Sequence, residues 1–122
     1  MGETSILIVE DELIIARNLR RKLQKMGYEV TGIASSSEAA IESVMKKRPD
    51  IILMDIVMPD MSGLDVCRNI RQDMNYKIVP IVFVTTKSED FDKFWALRQG
   101  GNDYITKPYS PTNLINIVKK YL

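Results

Sequence analysis

The sequence predicts an α/β fold, a single doubly wound sheet of five parallel strands with helices on both faces. Short apolar runs alternate five times with segments whose apolar residues recur every three or four positions. Such alternation is typical of a parallel sheet built from right-handed crossovers. The central run, Ile51–Met54, is apolar throughout, as expected for a strand that is covered on both faces. The length of 122 residues suits one domain, so residues 1–122 are assigned to a single unit.

The predicted strands are short, and each ends near a polar or charged residue. They cover Ser5–Glu10, Tyr28–Ala34, Ile51–Met54, Pro80–Thr85 and Asp103–Thr106. Their predicted order in the sheet is 2-1-3-4-5, one of the two common orders for doubly wound sheets. In this flavodoxin-like (βα)5 arrangement a crevice opens at the carboxyl ends of strands one and three, where ligands bind.

Each predicted helix carries an apolar stripe and a start or stop signal. Gly27 ends the first helix, the Ser35–Glu38 stretch fits a capping box for the second, and Ser88 is expected to cap the fourth. The third helix starts at Ser62 and the fifth at Ser110-Pro111. In chain order the stripes are Leu13, Ala16, Leu19, Leu23 and Met26; Ile41, Val44 and Met45; Leu64, Cys67 and Ile70; Phe91, Phe94, Trp95 and Leu97; and Leu114, Ile117, Val118 and Tyr121.

Composition excludes several classes of function. Seventeen basic and sixteen acidic residues leave a net charge of +1, which favours neither nucleic acid nor a membrane as a partner. The absence of histidine excludes histidine bases, Ser-His triads and histidine metal sites. The single cysteine, Cys67, excludes an internal disulfide and a cysteine zinc site, and its helical setting predicts a buried, inert thiol. With no long apolar run and no signal peptide, a cytoplasmic location is expected.

Chemically active side chains collect at the predicted carboxyl ends of four strands. Glu10 and Asp11 follow the first strand, Asp55 the third, Thr85 ends the fourth, and Lys107 follows the fifth. Each alone has an ordinary explanation, such as a helix cap for Asp11, strand propensity for Thr85, or a solvated loop lysine. Together they indicate a site, because clustered carboxylates repel one another unless a cation is present. Oxygen ligands favour Mg²⁺, with Mn²⁺ as the second choice, and a lysine and a hydroxyl are suited to phosphoryl oxygens.

These residues lie in stretches that resemble the receiver domain of two-component response regulators, including the chemotaxis regulators. The resemblance covers nearly the whole chain and rests on ILIVEDE, DIILMDIVMPDMSGLD, PIVFVTT and DYITKPY in that order. It implies that Asp55 is the phosphoacceptor. It also implies that Glu10, Asp11, Asp55 and the backbone carbonyl of Val57 bind Mg²⁺.

The resemblance also implies a switch. Thr85 would donate its hydroxyl to the phosphoryl group, Lys107 would pair with that group, and Tyr104 matches the aromatic switch position. A cis bond is implied at Lys107-Pro108. The expected function is a phosphorelay domain, not an enzyme, that takes a phosphoryl group from a sensor histidine kinase or a histidine phosphotransfer protein. Phosphorylation would remodel the face formed by helix four, strand five and helix five, which would contact a downstream protein effector.

Several positions depart from common receiver patterns. Thr86 stands where a smaller residue is frequent, and Gly101 stands where alanine is common. Val57 and Lys87 occupy positions where polar or acidic residues are often found. Slow loss of the phosphoryl group is therefore expected, because Val57 cannot hydrogen-bond an attacking water. The segment from 91 to 100 resembles the receivers of twitching-motility systems, whereas the first half resembles receivers attached to sensor kinases.

Three alternatives stay open. A haloacid-dehalogenase-type phosphatase also uses an aspartyl phosphate, but it requires Asp-x-Asp, and residue 57 is valine. A flavodoxin would need a Ser/Thr-rich phosphate loop after the first strand, where this chain has Glu10-Asp11-Glu12. A degenerate receiver would serve only as a phosphorylation-independent interaction module. The complete set of acid, hydroxyl and lysine argues against that last alternative.

Overall fold

The computed structural model describes residues 4–86 and 90–122, without the side chain of Phe91. The predictions made for Lys87, for Ser88 as a helix cap and for the Phe91 side chain lie outside this described part. The elements are β1 (Ser5–Val9), α1 (Leu13–Lys25), β2 (Glu29–Ala34), α2 (Ser37–Lys46), β3 (Ile51–Met54), α3 (Gly63–Gln72), β4 (Ile81–Thr85), α4 (Asp90–Arg98), β5 (Asp103–Thr106) and α5 (Pro111–Tyr121).

The predicted fold class is confirmed. All neighbouring strands pair in parallel, and their order is β2-β1-β3-β4-β5. β1 ends at Val9, one residue earlier than predicted, so Glu10 stands just beyond the strand. The bounds of β5 are those predicted. In the described part of the chain, no helix is both long and apolar enough to cross a membrane.

Alternate residues of the buried strands build one core on each face of the sheet. On one face, side chains such as Val9, Met54 and Phe83 pack with the buried residues of α2 and α3 and with Ala96 of α4. On the other face, residues such as Ile8 and Val84 pack with the buried residues of α1 and α5. Each fully buried large aliphatic side chain stabilises the fold by about 1.5–3 kcal/mol. The central strands therefore hold the ends of β1, β3 and β4 at fixed positions.

Some helix predictions need correction. The side chain that caps α2 is Ser36, which accepts a hydrogen bond from the Ala39 amide at 3.1 Å. The predicted capping box was therefore misplaced by one residue, and Glu38 does not occupy the position it requires. Met45 is exposed, because it is rotated about 100° around the helix axis from the buried Val44. Leu13, the first residue of α1, is also exposed.

The helix α4 differs most from the apolar stripe that the sequence predicts. Phe94, Trp95 and Leu97 are exposed, and Ala96 is its buried residue among the side chains described. Hydrogen bonds from α3 hold the chain where α4 ends. The Arg71 guanidinium donates to the Gly100 carbonyl at 2.8 Å from Nη2 and at 3.0 Å from Nε. Arg71 of α3 thus holds the chain just beyond the carboxyl end of α4.

Close packing explains why residue 101 is glycine. A Cβ at Gly101 would lie 2.5 Å from Cε2 of Phe83 and 3.0 Å from the carbonyl oxygen of Ala96. Phe83 is fully buried in the centre of the sheet, so its ring has little room to move aside. The large ring on β4 therefore occupies the space that an alanine at position 101 would need.

Candidate functional site

Three carboxylates meet at the carboxyl ends of β1 and β3. The Asp55 amide donates to the Val9 carbonyl at 2.9 Å, which continues the β1–β3 pairing up to the site. Glu10 and Asp55 are buried, with 4% and 8% of their surfaces exposed, whereas Asp11 is exposed. One carboxylate oxygen from each of the three lies within 4.8 Å of the others. The structure thus brings together the acidic side chains that the sequence predicted to converge.

The donor set suits a hard cation. It consists of carboxylate oxygens, which are the ligands that Mg²⁺ prefers and thiophilic metals avoid. The thiol of Cys67 is buried elsewhere, and its Sγ donates to the Gln99 carbonyl at 3.4 Å, so it competes for no metal here. The exposed carboxylate of Asp11 leaves one side of the cluster open to water, as a site that must receive a ligand requires.

Lys107 lies among these carboxylates. Its ammonium contacts Glu10 Oε1 and lies 3.2 Å from Asp55 Oδ2. Burial alone would lower the pKa of Lys107, but the hydrogen bond that Lys107 donates to Glu10 and the charge of Asp55 raise this pKa overall. Burial also raises the pKa of Glu10 despite its bond to Lys107. The lysine therefore remains charged and neutralises part of the cluster.

The backbone around Lys107 ties it to the end of β4. The Lys107 amide donates to the Thr85 carbonyl at 2.7 Å, and the Lys107-Pro108 bond is cis, as the resemblance implied. Thr85 is fully buried and pairs with Thr106 in the sheet. The hydroxyl-bearing strand end and the lysine are thereby fixed relative to each other.

Tyr104 and Thr85 share a face of the sheet. Phe83 pairs with Tyr104 across the two strands, and residues two apart on a strand point to the same side. The rings of Phe83 and Tyr104 lie 6.5 Å apart between centroids. Burial raises the pKa of Tyr104 to about 12, with smaller contributions from the negative charges of Asp92 and Asp55. The phenol is thus neutral and half-buried on the face that α4 covers.

The loop between β3 and α3 folds closely around Asp55. The Val57 amide donates to Asp55 Oδ1 at 3.2 Å, and the Gly63 amide donates to the Ile56 carbonyl at 2.7 Å. A Cβ at Gly63 would lie 2.1 Å from the Asp55 carbonyl oxygen, so only glycine permits this approach. The Val57 side chain is exposed. Gly63 is also the first residue of α3, directly after its cap Ser62.

Asp60, to which the sequence analysis gave no role, joins this loop to α2. Its Oδ1 accepts hydrogen bonds from the amides of Ser37 and Met61, both at 3.0 Å, and its Oδ2 accepts one from Glu38 at 3.3 Å. The Ser37 hydroxyl donates to the Met61 carbonyl at 2.7 Å. The bond from the Ser37 amide is the main reason that the pKa of Asp60 falls to about 2. The only sequence signal for this role was an acid in a Pro-Asp turn.

Comparison with known proteins identifies the family. The model of the response regulator receiver domain matches residues 6–119. The chain belongs to this family. A solved structure of the Vibrio cholerae chemotaxis protein CheY4 superposes with a TM-score of 0.92 at 29% identity, covering 99% of this chain and 100% of that one. The receiver resemblance drawn from the four sequence stretches is therefore confirmed.

Two curated relatives show how much of a longer protein such a chain can represent. The alkaline phosphatase synthesis transcriptional regulatory protein PhoP of Bacillus subtilis is 38% identical over 117 residues, which are 96% of this chain and 48% of PhoP. Protein PilH of Pseudomonas aeruginosa is 34% identical over 117 residues, which are 96% of each chain. The chain thus spans about half the length of PhoP and most of PilH. As a receiver domain it is a signalling domain of two-component systems.

Proposed function

We propose that residues 1–122 act as one phosphoacceptor receiver, with Asp55 as the phosphorylated residue. The observation that supports this most directly is the position of the Asp55 carboxylate. It lies beside Lys107 at 3.2 Å and within a cluster of two further carboxylates, at the open end of the sheet. A buried carboxylate surrounded by negative charge and one lysine is suited to accept an incoming cation and phosphoryl group.

The cation site uses groups from two strand ends. Glu10, Asp11 and Asp55, together with the Val57 carbonyl, would hold Mg²⁺, with Mn²⁺ as the weaker candidate. When bound, this cation would offset negative charge on the transferring phosphoryl oxygens. Glu10 and Asp55 together keep Lys107 in place, because both carboxylates contact its ammonium group.

Phosphoryl transfer follows from these positions. An oxygen of the Asp55 carboxylate attacks the phosphorus in line, and the bond from phosphorus to the donor's imidazole nitrogen breaks. The nitrogen keeps the electron pair, and Asp55 becomes an acyl phosphate. Lys107 and the Thr85 hydroxyl then donate to phosphoryl oxygens. Water later cleaves the acyl phosphate, which restores the carboxylate and releases phosphate, so the domain is a signalling component and not a turnover enzyme.

The proposed output is a change on the face formed by α4, β5 and α5. Phosphorylation replaces one negative charge by roughly two and adds strong acceptor oxygens, which draws the Thr85 hydroxyl toward Asp55. Tyr104 shares the Thr85 face of the sheet and would turn inward as Thr85 moves. The partners are a sensor histidine kinase or a histidine phosphotransfer protein upstream, and a protein effector downstream. Because the kinase uses cellular ATP, this role places the domain in the cytoplasm.

The decisive experiment is phosphorylation by acetyl phosphate in Mg²⁺, followed on Phos-tag gels. Wild type should shift, and Asp55→Asn should not, because an amide cannot form the acyl phosphate. Asp73→Asn is the matched control, since Asp73 lies at the end of α3, and it should shift like wild type. Full labelling of Asp55→Asn would assign the phosphate elsewhere. Lack of labelling in wild type would favour an interaction module that works without phosphorylation.

A further inference from the structure

The segment that follows Asp55 must cross from β3 to α3 without regular structure. Near its two ends it is held by the bond from the Val57 amide to Asp55 and by that from the Gly63 amide to the Ile56 carbonyl. Most of the middle of this segment is exposed. Met58 packs against the core, and the hydrogen bonds of Asp60 and Met61 join the segment to α2. Its conformation therefore depends on a helix that contributes no side chain to the acidic cluster.

The contact with α2 fixes the segment in one position. Ser37 is only 1% exposed, so water cannot readily replace its hydroxyl bond to the Met61 carbonyl. The Asp60 carboxylate accepts hydrogen bonds from backbone amides in the first turn of α2, where the helix dipole favours a negative charge. Two amides that a helix start otherwise leaves without intrahelical partners are thereby satisfied by the loop.

We infer that Asp60 is a positioning residue for the cation site, acting through the loop that carries Val57. This inference rests on the proposed function, in which the Val57 carbonyl is a ligand. Val57 lies three residues before Asp60. Its amide is held by Asp55, whereas its carbonyl belongs to the next peptide unit, which leads towards Asp60. Mg²⁺ requires nearly ideal octahedral geometry, so a backbone ligand must be held within a fraction of an ångström. Release of the loop from α2 would spread that carbonyl over many positions and weaken binding.

The expected size of the effect comes from other metal sites. Loss of a group that orients a ligand typically lowers metal affinity about 10- to 100-fold. Asp60 orients Val57 through the backbone and not by direct contact, so about 10-fold is expected for Asp60→Ala. Asp60→Asn keeps one acceptor oxygen for the amides of α2 and should recover part of this loss.

The test compares two caps of the same helix. The Ser36 hydroxyl also accepts a hydrogen bond at the start of α2, but its donor is the Ala39 amide of the same helix. Ser36→Ala therefore removes a helix cap and leaves the bonds between the loop and α2 in place. Mg²⁺ dissociation constants are measured by isothermal titration calorimetry, and urea unfolding verifies that each variant is folded. Asp60→Ala should bind Mg²⁺ about 10-fold more weakly, whereas Ser36→Ala should remain within about two-fold of wild type.

Three outcomes would count against the inference. Equal affinities in Asp60→Ala and Ser36→Ala would mean that only helix capping matters. If Asp60→Ala is too unstable to assay, Asp60→Asn takes its place, and wild-type affinity in that variant would overturn the positioning role. Asp11→Ala serves as the control for the proposed function. If Asp11→Ala binds Mg²⁺ as well as wild type, the carboxylate site itself is wrong; if it binds weakly while both Asp60 variants are unchanged, only the present inference fails.

Discussion

Lys107 should stabilise the protein without a cation and oppose the binding of one. Its side chain is 12% exposed, between Glu10 and Asp55 side chains that are 5% and 10% exposed. In Lys107→Met the two carboxylates face each other with no neutralising charge. Removal of one partner from a buried ion pair costs about 3–5 kcal/mol. We expect the lower end, about 3 kcal/mol, because the cluster opens to water at Asp11.

The same substitution should strengthen Mg²⁺ binding. It removes a positive charge from the place where a divalent cation would bind. The two carboxylates then attract a cation more strongly, because no neighbouring ammonium offsets their charge. A cation at 100 times its dissociation constant stabilises the native state by about 2.7 kcal/mol. Wild type gains in the same way, so the stability lost in Lys107→Met should shrink only by the extra gain of its tighter site. That extra gain is about 1.4 kcal/mol if its Mg²⁺ dissociation constant is ten times below that of wild type.

Urea unfolding followed by circular dichroism, in EDTA and in saturating Mg²⁺, measures both effects. Lys120→Met is the matched control, since Lys120 is exposed and lies 3.5 Å from Asp103. That exposed pair should contribute little to stability in either condition. A loss below about 1 kcal/mol for Lys107→Met in EDTA, or an equal loss with and without Mg²⁺, would refute the reasoning. The raised pKa of Lys107 sets the pH dependence: its contribution is present at neutral pH and is lost as the pH rises above the ordinary lysine value of 10.5.

Three further predictions concern packing, the thiol and the phosphate lifetime. Gly101→Ala should destabilise wild type by about 1–3 kcal/mol through overpacking, and it should cost less in a Phe83→Leu background, where only the contact with the Ala96 carbonyl oxygen remains tight. Equal costs in the two backgrounds, measured by urea unfolding, would contradict the contact with the ring. Burial raises the pKa of the Cys67 thiol from 9.0 to about 11. Because the native state then holds this proton more tightly than the unfolded state, the protein loses stability as the pH rises through that range. At pH 8, iodoacetamide should modify Cys67 in urea and leave the native protein unmodified, and equally fast native labelling would show an open thiol. Val57→Asn should shorten the lifetime of the phosphate on Asp55 after the donor is removed, because Asn can hydrogen-bond and orient the attacking water. On Phos-tag gels, decay no faster than in wild type would exclude this role for residue 57.

The parts of the fold that were predictable are those set by local pattern. Runs such as Ile51–Met54 identify buried strands because helices cover both faces of the sheet. Once the strand order is known, the positions of Glu10, Asp55 and Lys107 follow, since parallel strands bring their carboxyl ends to one edge. The convergence of the acidic cluster was therefore accessible from the sequence alone.

The parts that were not predictable depend on contacts between distant segments. Lys107 meets Glu10 across 97 positions of sequence, and no local pattern reveals that the two side chains pair. The role of Asp60 depends on a helix that begins 23 positions earlier. The misplaced capping box arose because consecutive serines offer several equivalent caps, and only the surrounding structure selects Ser36. The exposure of Phe94 likewise depends on what covers α4, which periodicity does not record.

The exposed side chains of α4 have a consequence for how such a domain can vary. Because the side chains of Phe94, Trp95 and Leu97 are exposed, they contribute less to the stability of the fold than buried side chains do. If the proposed output face is correct, mutations there would alter which protein is recognised while the core and the acidic cluster stay intact. The bond from Arg71 to the end of α4 keeps the helix in place through such changes. On that proposal, related domains could differ in their effectors through substitutions on α4 and still keep the same residues for binding the cation and the phosphoryl group.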